Sequence, residues 1–179
     1  MRDLEEIPDK IQEVLDRSGQ VEKLARDMVD ATSVLFLGRH VGFPTALEGA
    51  LKLKEIAYIH AEGFAAGELK HGPIALVEEG QPVFIVVPSP RGRDSLHAKV
   101  VSNIQEVRAR GAFTLVIAEE GDTDVEPYAD VVIRYPETRT LFAPLLTIIP
   151  LQIFACELAT AKGLDVDQPR NLAKSVTVE

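Results

Sequence analysis

The sequence has very little cysteine. Cys156 is the one cysteine among 179 residues, which excludes an intramolecular disulfide and a metal site built from thiolates. It lies in an apolar run of helical character, where an inert buried thiol is expected rather than a catalytic one. The shortage of cysteine favours a protein of the reducing cytoplasm.

Positive charge is also scarce. The chain has 19 Lys and Arg residues against 28 Asp and Glu residues, which gives a formal net charge of -9. A surface that follows nucleic-acid phosphates or an anionic membrane needs a clustered excess of basic side chains. We therefore expect no nucleic-acid partner and no membrane partner, and an anionic ligand would need a local positive site.

The hallmarks of exported and membrane proteins are missing or incomplete. Asp3 and Glu5 stand where a secretion signal would have a basic stretch, so we expect no signal. The uncharged stretch 141–156 is long enough to raise the question of a membrane span, but Pro144 and Pro150 should interrupt it. We predict a buried helix there, with a subunit interface as one candidate location.

The order of the apolar segments predicts an α/β fold. Apolar residues recur at helical spacing in two stretches near the N-terminus, and a further helix should begin near Pro44. Longer helical stretches are predicted at 95–110 and 141–162. Continuous apolar runs, typical of strands covered on both faces, occupy residues 34–37, 83–87, 113–117 and 131–133. This pattern predicts a doubly wound, mostly parallel sheet with helices on both faces and ligands at the carboxyl ends of its strands.

An irregular tail at 164–179 should follow a single domain at 1–163. Its last thirteen residues have neither a helical nor a strand period, yet they mix apolar residues such as Leu172 with the rigid Pro169. A frayed terminus is the ordinary alternative. A disordered tail would have fewer apolar residues, so the composition favours a tail that is bound to the domain.

A charged stripe crosses an otherwise apolar helix. Glu48, Lys52 and Glu55 are spaced by four and three residues, so they share one narrow arc of the helix. One interpretation is a ladder of surface ion pairs, which would contribute about 0.2–0.5 kcal/mol per pair. The other interpretation is a polar site within the protein. Apolar residues cover the rest of the helix circumference, and a helix buried nearly all round must direct its charges into such a site.

The histidines give a weaker signal. His71 precedes a Gly-Pro pair, a combination that ends helices, so its ordinary role would be a C-terminal cap stabilised by the helix dipole. His40, His60 and His97 have no carboxylate or histidine partner at metal-ligand spacing, and we interpret them as surface or structural residues. The sequence therefore implies no metal.

Three motifs, at 47–56, 66–73 and 167–179, occur in this order along the chain. Together they resemble the glutamine-dependent glucosamine-6-phosphate synthases, also called glutamine–fructose-6-phosphate aminotransferases. Within that family the resemblance is to the second sugar-isomerase (SIS) half of the isomerase region, and it covers residues from about 4 to 179. It implies the SIS fold.

The resemblance also implies roles for individual residues. Glu55 would be the base that moves a proton between C1 and C2 of the sugar, with Lys52 as an active-site lysine. His71 would assist ring opening in the site of the neighbouring subunit, and Lys174 would form a Schiff base with the open-chain keto sugar. The remaining substrate-binding positions would be Glu48, Arg170 and Ala173.

The implied partners follow from the same resemblance. The substrate would be the sugar phosphate fructose 6-phosphate and the product glucosamine 6-phosphate, and a homodimer interface would lie near His71. The family's glutaminase domain and first SIS half have no counterpart in this sequence, so the chain by itself should not make the product from glutamine. The resemblance implies no cofactor.

Two alternatives to a catalytic half stay open. A free-standing SIS module could bind a sugar phosphate for regulation without catalysis, although such a module has no need of Lys174. A stand-alone sugar-phosphate isomerase is disfavoured, because the loop at 38–42 has neither GxGxxG nor Walker A spacing and carries no Ser or Thr hydroxyl before Thr45.

Overall fold

The computed structural model describes residues 2–91 and 96–170. Within them, five strands form one sheet in the order β2-β1-β3-β4-β5, and every neighbouring pair is parallel. The strands are β1 (Ser33–Gly38), β2 (His60–Ala65), β3 (Pro82–Val86), β4 (Phe113–Glu119) and β5 (Val131–Tyr135). The predicted doubly wound α/β sheet is confirmed, and its order changes direction between β1 and β3.

Helices and short helical turns connect the strands. The α-helices are α1 (Arg2–Glu5), α2 (Ile7–Asp16), α3 (Gly19–Asp27), α4 (Gly42–Lys52), α5 (His97–Arg108) and α6 (Ala143–Ala161). A π-helical turn (Leu53–Ala57) continues α4, and 3-10 turns occupy Ala66–His71, Pro73–Leu76 and Glu126–Tyr128. Each stretch that the sequence predicted to be helical contains a helix.

The sheet has a hydrophobic core on each face, as expected for helices on both sides. Val34 and Phe36 of β1 point into a core formed with α2, α3, α4 and α6, where Phe36 stacks on Phe84 at 5.2 Å between ring centroids. Leu35 and Leu37 point to the other face, which α5 and the Ala66–His71 turn cover. The continuous apolar runs of the strands therefore reflect burial on both faces.

Strand β2 was not predicted. Ala61 is its one buried residue, His60 is exposed, and the others, among them Glu62, are partly buried. The strand lies at the edge of the sheet, paired with β1 from Ser33 opposite His60 to Gly38 opposite Ala65. An edge strand needs no continuous apolar run, and this one therefore gives no such signal.

Helix α6 differs from its prediction in one respect. Pro150 was expected to interrupt the apolar stretch, but the helix runs through it without a break for 19 residues. By length and composition it could cross a membrane, yet 56% of its most apolar window is buried inside the domain. Leu146, Phe154 and Leu158 lie in the core with α2, α3 and α4. The prediction of a buried helix is confirmed, although Cys156 is half-buried rather than fully enclosed.

Candidate functional site

The charged stripe of α4 forms a connected set of ion pairs. Lys52 Nζ lies 2.5 Å from Glu55 Oε2 and 3.4 Å from Glu48 Oε1. The hydrogen bond to Glu55 and, after it, the charge of Glu48 raise the pKa of Lys52, against the opposing effect of burial. Lys52 therefore stays protonated at neutral pH and presents a fixed positive charge beside the Glu55 carboxylate.

The surroundings of this stripe differ from the prediction of a helix buried nearly all round. Leu47 and Leu51 on α4 are 43% and 39% exposed, and the side chains of Lys52 and Glu55 are 28% and 24% exposed. Within the described residues, the ion-pair ladder thus lies on a half-open surface with apolar side chains beside it. The ion-pair ladder and the polar site both remain open as interpretations, because the ion pairs form and their charged groups are partly buried.

The π-helical turn determines where Glu55 lies. The turn joins α4 to Tyr58, a residue in the left-handed conformation (φ 55°, ψ 34°) whose backbone N–H bonds to the carbonyl of Leu53. Because α4 starts after the carboxyl end of β1 and runs back along it, this turn lies at the amino edge of the sheet. Glu55 therefore occupies the edge opposite to the one predicted for ligands.

The tail returns to the same edge. Leu164 and Val166 pack against the core, and the side chain of Asp165 accepts hydrogen bonds from the backbone N–H groups of Asp167 and Gln168 at 3.0 and 3.1 Å. The chain then reaches Arg170, whose guanidinium lies 4.2 Å from the ring centroid of Tyr58. The tail is therefore bound to the domain as far as Arg170.

Tyr58 makes a second contact with the tail, because its hydroxyl oxygen accepts the Arg170 backbone N–H at 2.8 Å. Tyr58 follows Glu55 by three residues, so the structure brings two of the predicted site residues, Glu55 and Arg170, to one end of the domain. Ala173 and Lys174 lie outside the described residues. Sequence reasoning missed Tyr58, since nothing in a tyrosine signals a left-handed backbone.

The structure places His71 far from this group. It ends the 3-10 turn that follows β2, at the carboxyl edge of the sheet, and its Nδ1 lies 2.7 Å from Glu68 Oε2. Its side chain is 72% exposed. The six residues of β2, about 20 Å in length, lie between the two positions along the chain. His71 and Glu55 of one chain therefore do not meet.

A polar chain anchors the segment that carries His71. Arg39, which follows β1, donates from Nε to the Oδ1 atom of buried Asn103 at 3.1 Å, and Asn103 donates to Glu106 at 3.0 Å. Glu106 pairs in turn with Lys70 at 2.9 Å. The backbone of Gly67 lies so close to Arg39 that a Cβ would be 3.1 Å from its Nη1. This network fixes the turn against α5.

A cleft of about 830 Å³ opens elsewhere on the carboxyl edge, beside β3 and β5. Ser89, Arg91 and Glu137 line it, and Arg91 pairs with both Glu137 and the buried Glu119. None of the predicted site residues that the structure describes lines this cleft. The expectation of a ligand site at the carboxyl ends of the strands therefore stays a prediction, and Glu55 and Arg170 lie away from that edge.

His97 has a partner that its sequence neighbours did not reveal. Its Nε2 lies 2.7 Å from the buried Asp122 Oδ2, and its Nδ1 lies 3.9 Å from Asp124 Oδ2. The three residues could supply ligand atoms to a metal ion. The hydrogen bond between the buried His97 and Asp122 ties α5 to the loop after β4. This arrangement fits the structural role predicted for His97. His40 and His60 are exposed.

The comparisons with known proteins identify the family. The SIS domain model matches residues 27–162. The chain belongs to the SIS domain family. It is similar to the glutamine–fructose-6-phosphate aminotransferase (isomerising) of Corynebacterium glutamicum, with 76% identity over 176 residues. That match includes 98% of this SIS domain chain but 28% of the relative. The resemblance inferred from the three motifs is confirmed.

Solved structures agree with this assignment. The C-terminal domain of glucosamine-fructose-6-phosphate aminotransferase from Francisella tularensis matches 93% of the SIS domain chain with a TM-score of 0.84 and 37% identity, and 46% of that chain is covered. Tagatose-6-phosphate ketose/aldose isomerase from Escherichia coli matches 88% of it with a TM-score of 0.72 and 20% identity, and 43% of that chain is covered. The second match shows the fold alone.

Proposed function

We propose that this SIS domain is the second half of the isomerase region of a glutamine–fructose-6-phosphate aminotransferase. In this role it acts on fructose 6-phosphate as part of a longer, cytoplasmic, homodimeric enzyme that also has a glutaminase domain and a first SIS half. The observation that carries the proposal is the docking of Arg170 on Tyr58, because it brings the tail to the turn that bears Glu55.

The proposed chemistry begins at Lys174. Its neutral amine attacks the C2 carbonyl of the open-chain sugar, water leaves, and an imine forms that makes the C1 protons more acidic. An ordinary lysine has a pKa of about 10.4, so the site must favour the neutral amine. Ammonia from glutamine then displaces the lysine at C2.

Proton transfer within the sugar is the proposed task of Glu55. The carboxylate takes a proton from C1 and delivers one to C2, and the proton of the C1 hydroxyl passes to the imine nitrogen, which leaves the amino group on C2 and the carbonyl carbon at C1. Lys52, held protonated beside Glu55, would stabilise the negative charge that develops between these steps. Glu48, Arg170 and Ala173 would line the substrate site.

His71 is proposed to act on the other subunit. It lies at the opposite edge of the sheet from Glu55 of the same chain, and strand β2, about 20 Å long, lies between them, which supports a role outside that chain's own site. An exposed histidine that pairs with Glu68 is suited to reach a neighbouring molecule. A homodimer would therefore complete each site with His71 from its partner.

Reductive trapping tests the proposal at Lys174. Borohydride reduces an imine to a stable amine, so the longer enzyme treated with fructose 6-phosphate and borohydride should carry the sugar covalently at this residue. Lys174→Arg keeps the charge and removes the nucleophile, and trapping should disappear. Lys23→Arg, at an exposed lysine, serves as the matched control and should trap normally.

Titration calorimetry separates this proposal from a regulatory module. Binding of fructose 6-phosphate or glucosamine 6-phosphate that weakens in Lys174→Ala would support a site to which the tail contributes. Binding that Lys174→Ala leaves unchanged, together with no trapping, would contradict the catalytic proposal and favour a non-catalytic sugar-phosphate-binding domain.

A further inference from the structure

The contact between Tyr58 and the tail has two separate parts. The ring lies beneath the Arg170 guanidinium at 4.2 Å, within the range of a cation–π interaction. The hydroxyl oxygen accepts the backbone N–H of the same residue at 2.8 Å. One side chain of the domain therefore holds both the side chain and the backbone of one tail residue.

The backbone conformation of Tyr58 also indicates that its position is specific. A left-handed conformation costs free energy in any residue with a Cβ, and persists only where the surroundings hold it. The preceding π-helical turn is a rare structure that occurs frequently at functional sites. Both features place the Tyr58 ring where the tail returns, because an ordinary continuation of α4 would carry Tyr58 farther along the helix.

We propose that Tyr58 is a positioning residue that fastens the C-terminal tail to the turn bearing Glu55. The inference deepens the proposed function and rests on it for the role of Lys174. Lys174 is the fourth residue after Arg170, so a fixed Arg170 confines the Lys174 backbone to within about 14 Å of it. By holding Arg170, the Tyr58 side chain thus limits the positions that Lys174 can occupy.

Proteolysis measures the fastening without any substrate. Trypsin must take the Arg170 side chain into its own specificity pocket to cut after it, which requires Arg170 to leave Tyr58. Release of the peptide that begins at Asn171 should therefore report the undocked fraction, whether that peptide ends at Lys174 or at Glu179. The experiment uses the 179-residue chain at low protease concentration, with mass spectrometry of the released peptide.

Two substitutions separate the two contacts. Tyr58→Phe removes the hydroxyl acceptor and keeps the ring, so release should accelerate about threefold to tenfold. Tyr58→Leu removes both contacts and should accelerate it further. Tyr128→Phe, which changes a tyrosine away from the tail, is the matched control and should behave as the parent chain. Equal release from the parent chain and Tyr58→Leu would overturn the proposal.

Two further measurements distinguish positioning from folding and from catalysis. The urea midpoint of each variant shows whether the whole domain has weakened, and faster release with an unchanged midpoint assigns the effect to the tail. In the longer enzyme, borohydride trapping of fructose 6-phosphate should then fall most in Tyr58→Leu and less in Tyr58→Phe. No trapping in the parent form of the longer enzyme would contradict the proposed function, whereas the release rates alone would still decide the role of Tyr58.

Discussion

Glu119 shows how a single buried carboxylate can limit stability. It ends β4 and is 1% exposed, and its Oε1 accepts hydrogen bonds from Ser89 and Arg91. Its Oε2 has no hydrogen-bond partner among the described residues. Burial raises the pKa of Glu119, and the charge of Arg91 and the hydrogen bond from Ser89 offset this only in part. The native domain therefore holds a proton on Glu119 more tightly than the unfolded chain does.

This leads to a prediction about pH. Because the native state binds the proton more tightly, stability should fall as pH rises from the ordinary value of 4.5 through the raised pKa of Glu119. Glu119→Gln cannot ionise, so its stability relative to the parent should increase over that interval. Urea unfolding at several pH values checks this. Glu137→Gln, at an exposed carboxylate that also pairs with Arg91, is the control. A difference between Glu119→Gln and the parent that does not change with pH would contradict the prediction.

At the scale of elements, the turn that carries His71 depends on helix α5. Asn103 is 2% exposed and joins Arg39 to Glu106, which pairs with Lys70 one residue before His71. A buried amide with partners on two sides specifies one arrangement of the elements that it connects. The position of His71 relative to the sheet therefore relies on a residue of another element.

Asn103→Ala tests this dependence. The substitution leaves Arg39 and Glu106 without their shared partner, and we expect a loss of about 1–3 kcal/mol in the free energy of unfolding. Hydrogen exchange should increase in the Ala66–His71 turn more than in the strands. Gln105→Ala, on the exposed side of the same helix, should change neither quantity. Uniformly faster exchange across the sheet would mean that Asn103 supports the core in general.

Elements that depend on burial could be predicted from the sequence, and those that depend on tertiary contacts could not. The apolar runs that became β1, β3, β4 and β5 are continuous because both faces are covered. Strand β2 at the edge has no such run, and Pro150 did not end α6 because tertiary packing overrides local preference. The motifs indicated the Glu48–Lys52–Glu55 stripe, but the π-helical turn and Tyr58 had no signal in residue type.

At the scale of the whole molecule, two proposed catalytic residues lie at opposite edges of the sheet. Glu55 lies at the amino edge and His71 at the carboxyl edge, with β2 between them. A symmetric dimer would bring His71 of each subunit to Glu55 of the other, and each site would then be composite. In that case, two variants that are each inactive could restore one complete site when their subunits form a mixed dimer.

Mixing two inactive variants tests the composite site in the longer enzyme. Glu55→Gln and His71→Asn should each abolish activity, but a mixed dimer has one site with both original residues and one with neither. If subunits exchange freely, half of the dimers are mixed, so activity should return to about one quarter of the original. A mixture that stays inactive although mass spectrometry detects mixed dimers would place both residues in the site of one chain.

Strand β2 has a consequence for the way this domain can change over evolutionary time. It is the spacer between the turn with Glu55 and Tyr58 and the segment with His71, and its pairing with β1 fixes the offset between them. One inserted residue would lengthen the spacer by about 3.3 Å and turn the following side chains to the other face. Insertions and deletions should therefore be tolerated in exposed loops such as 78–80 and eliminated from 60–65.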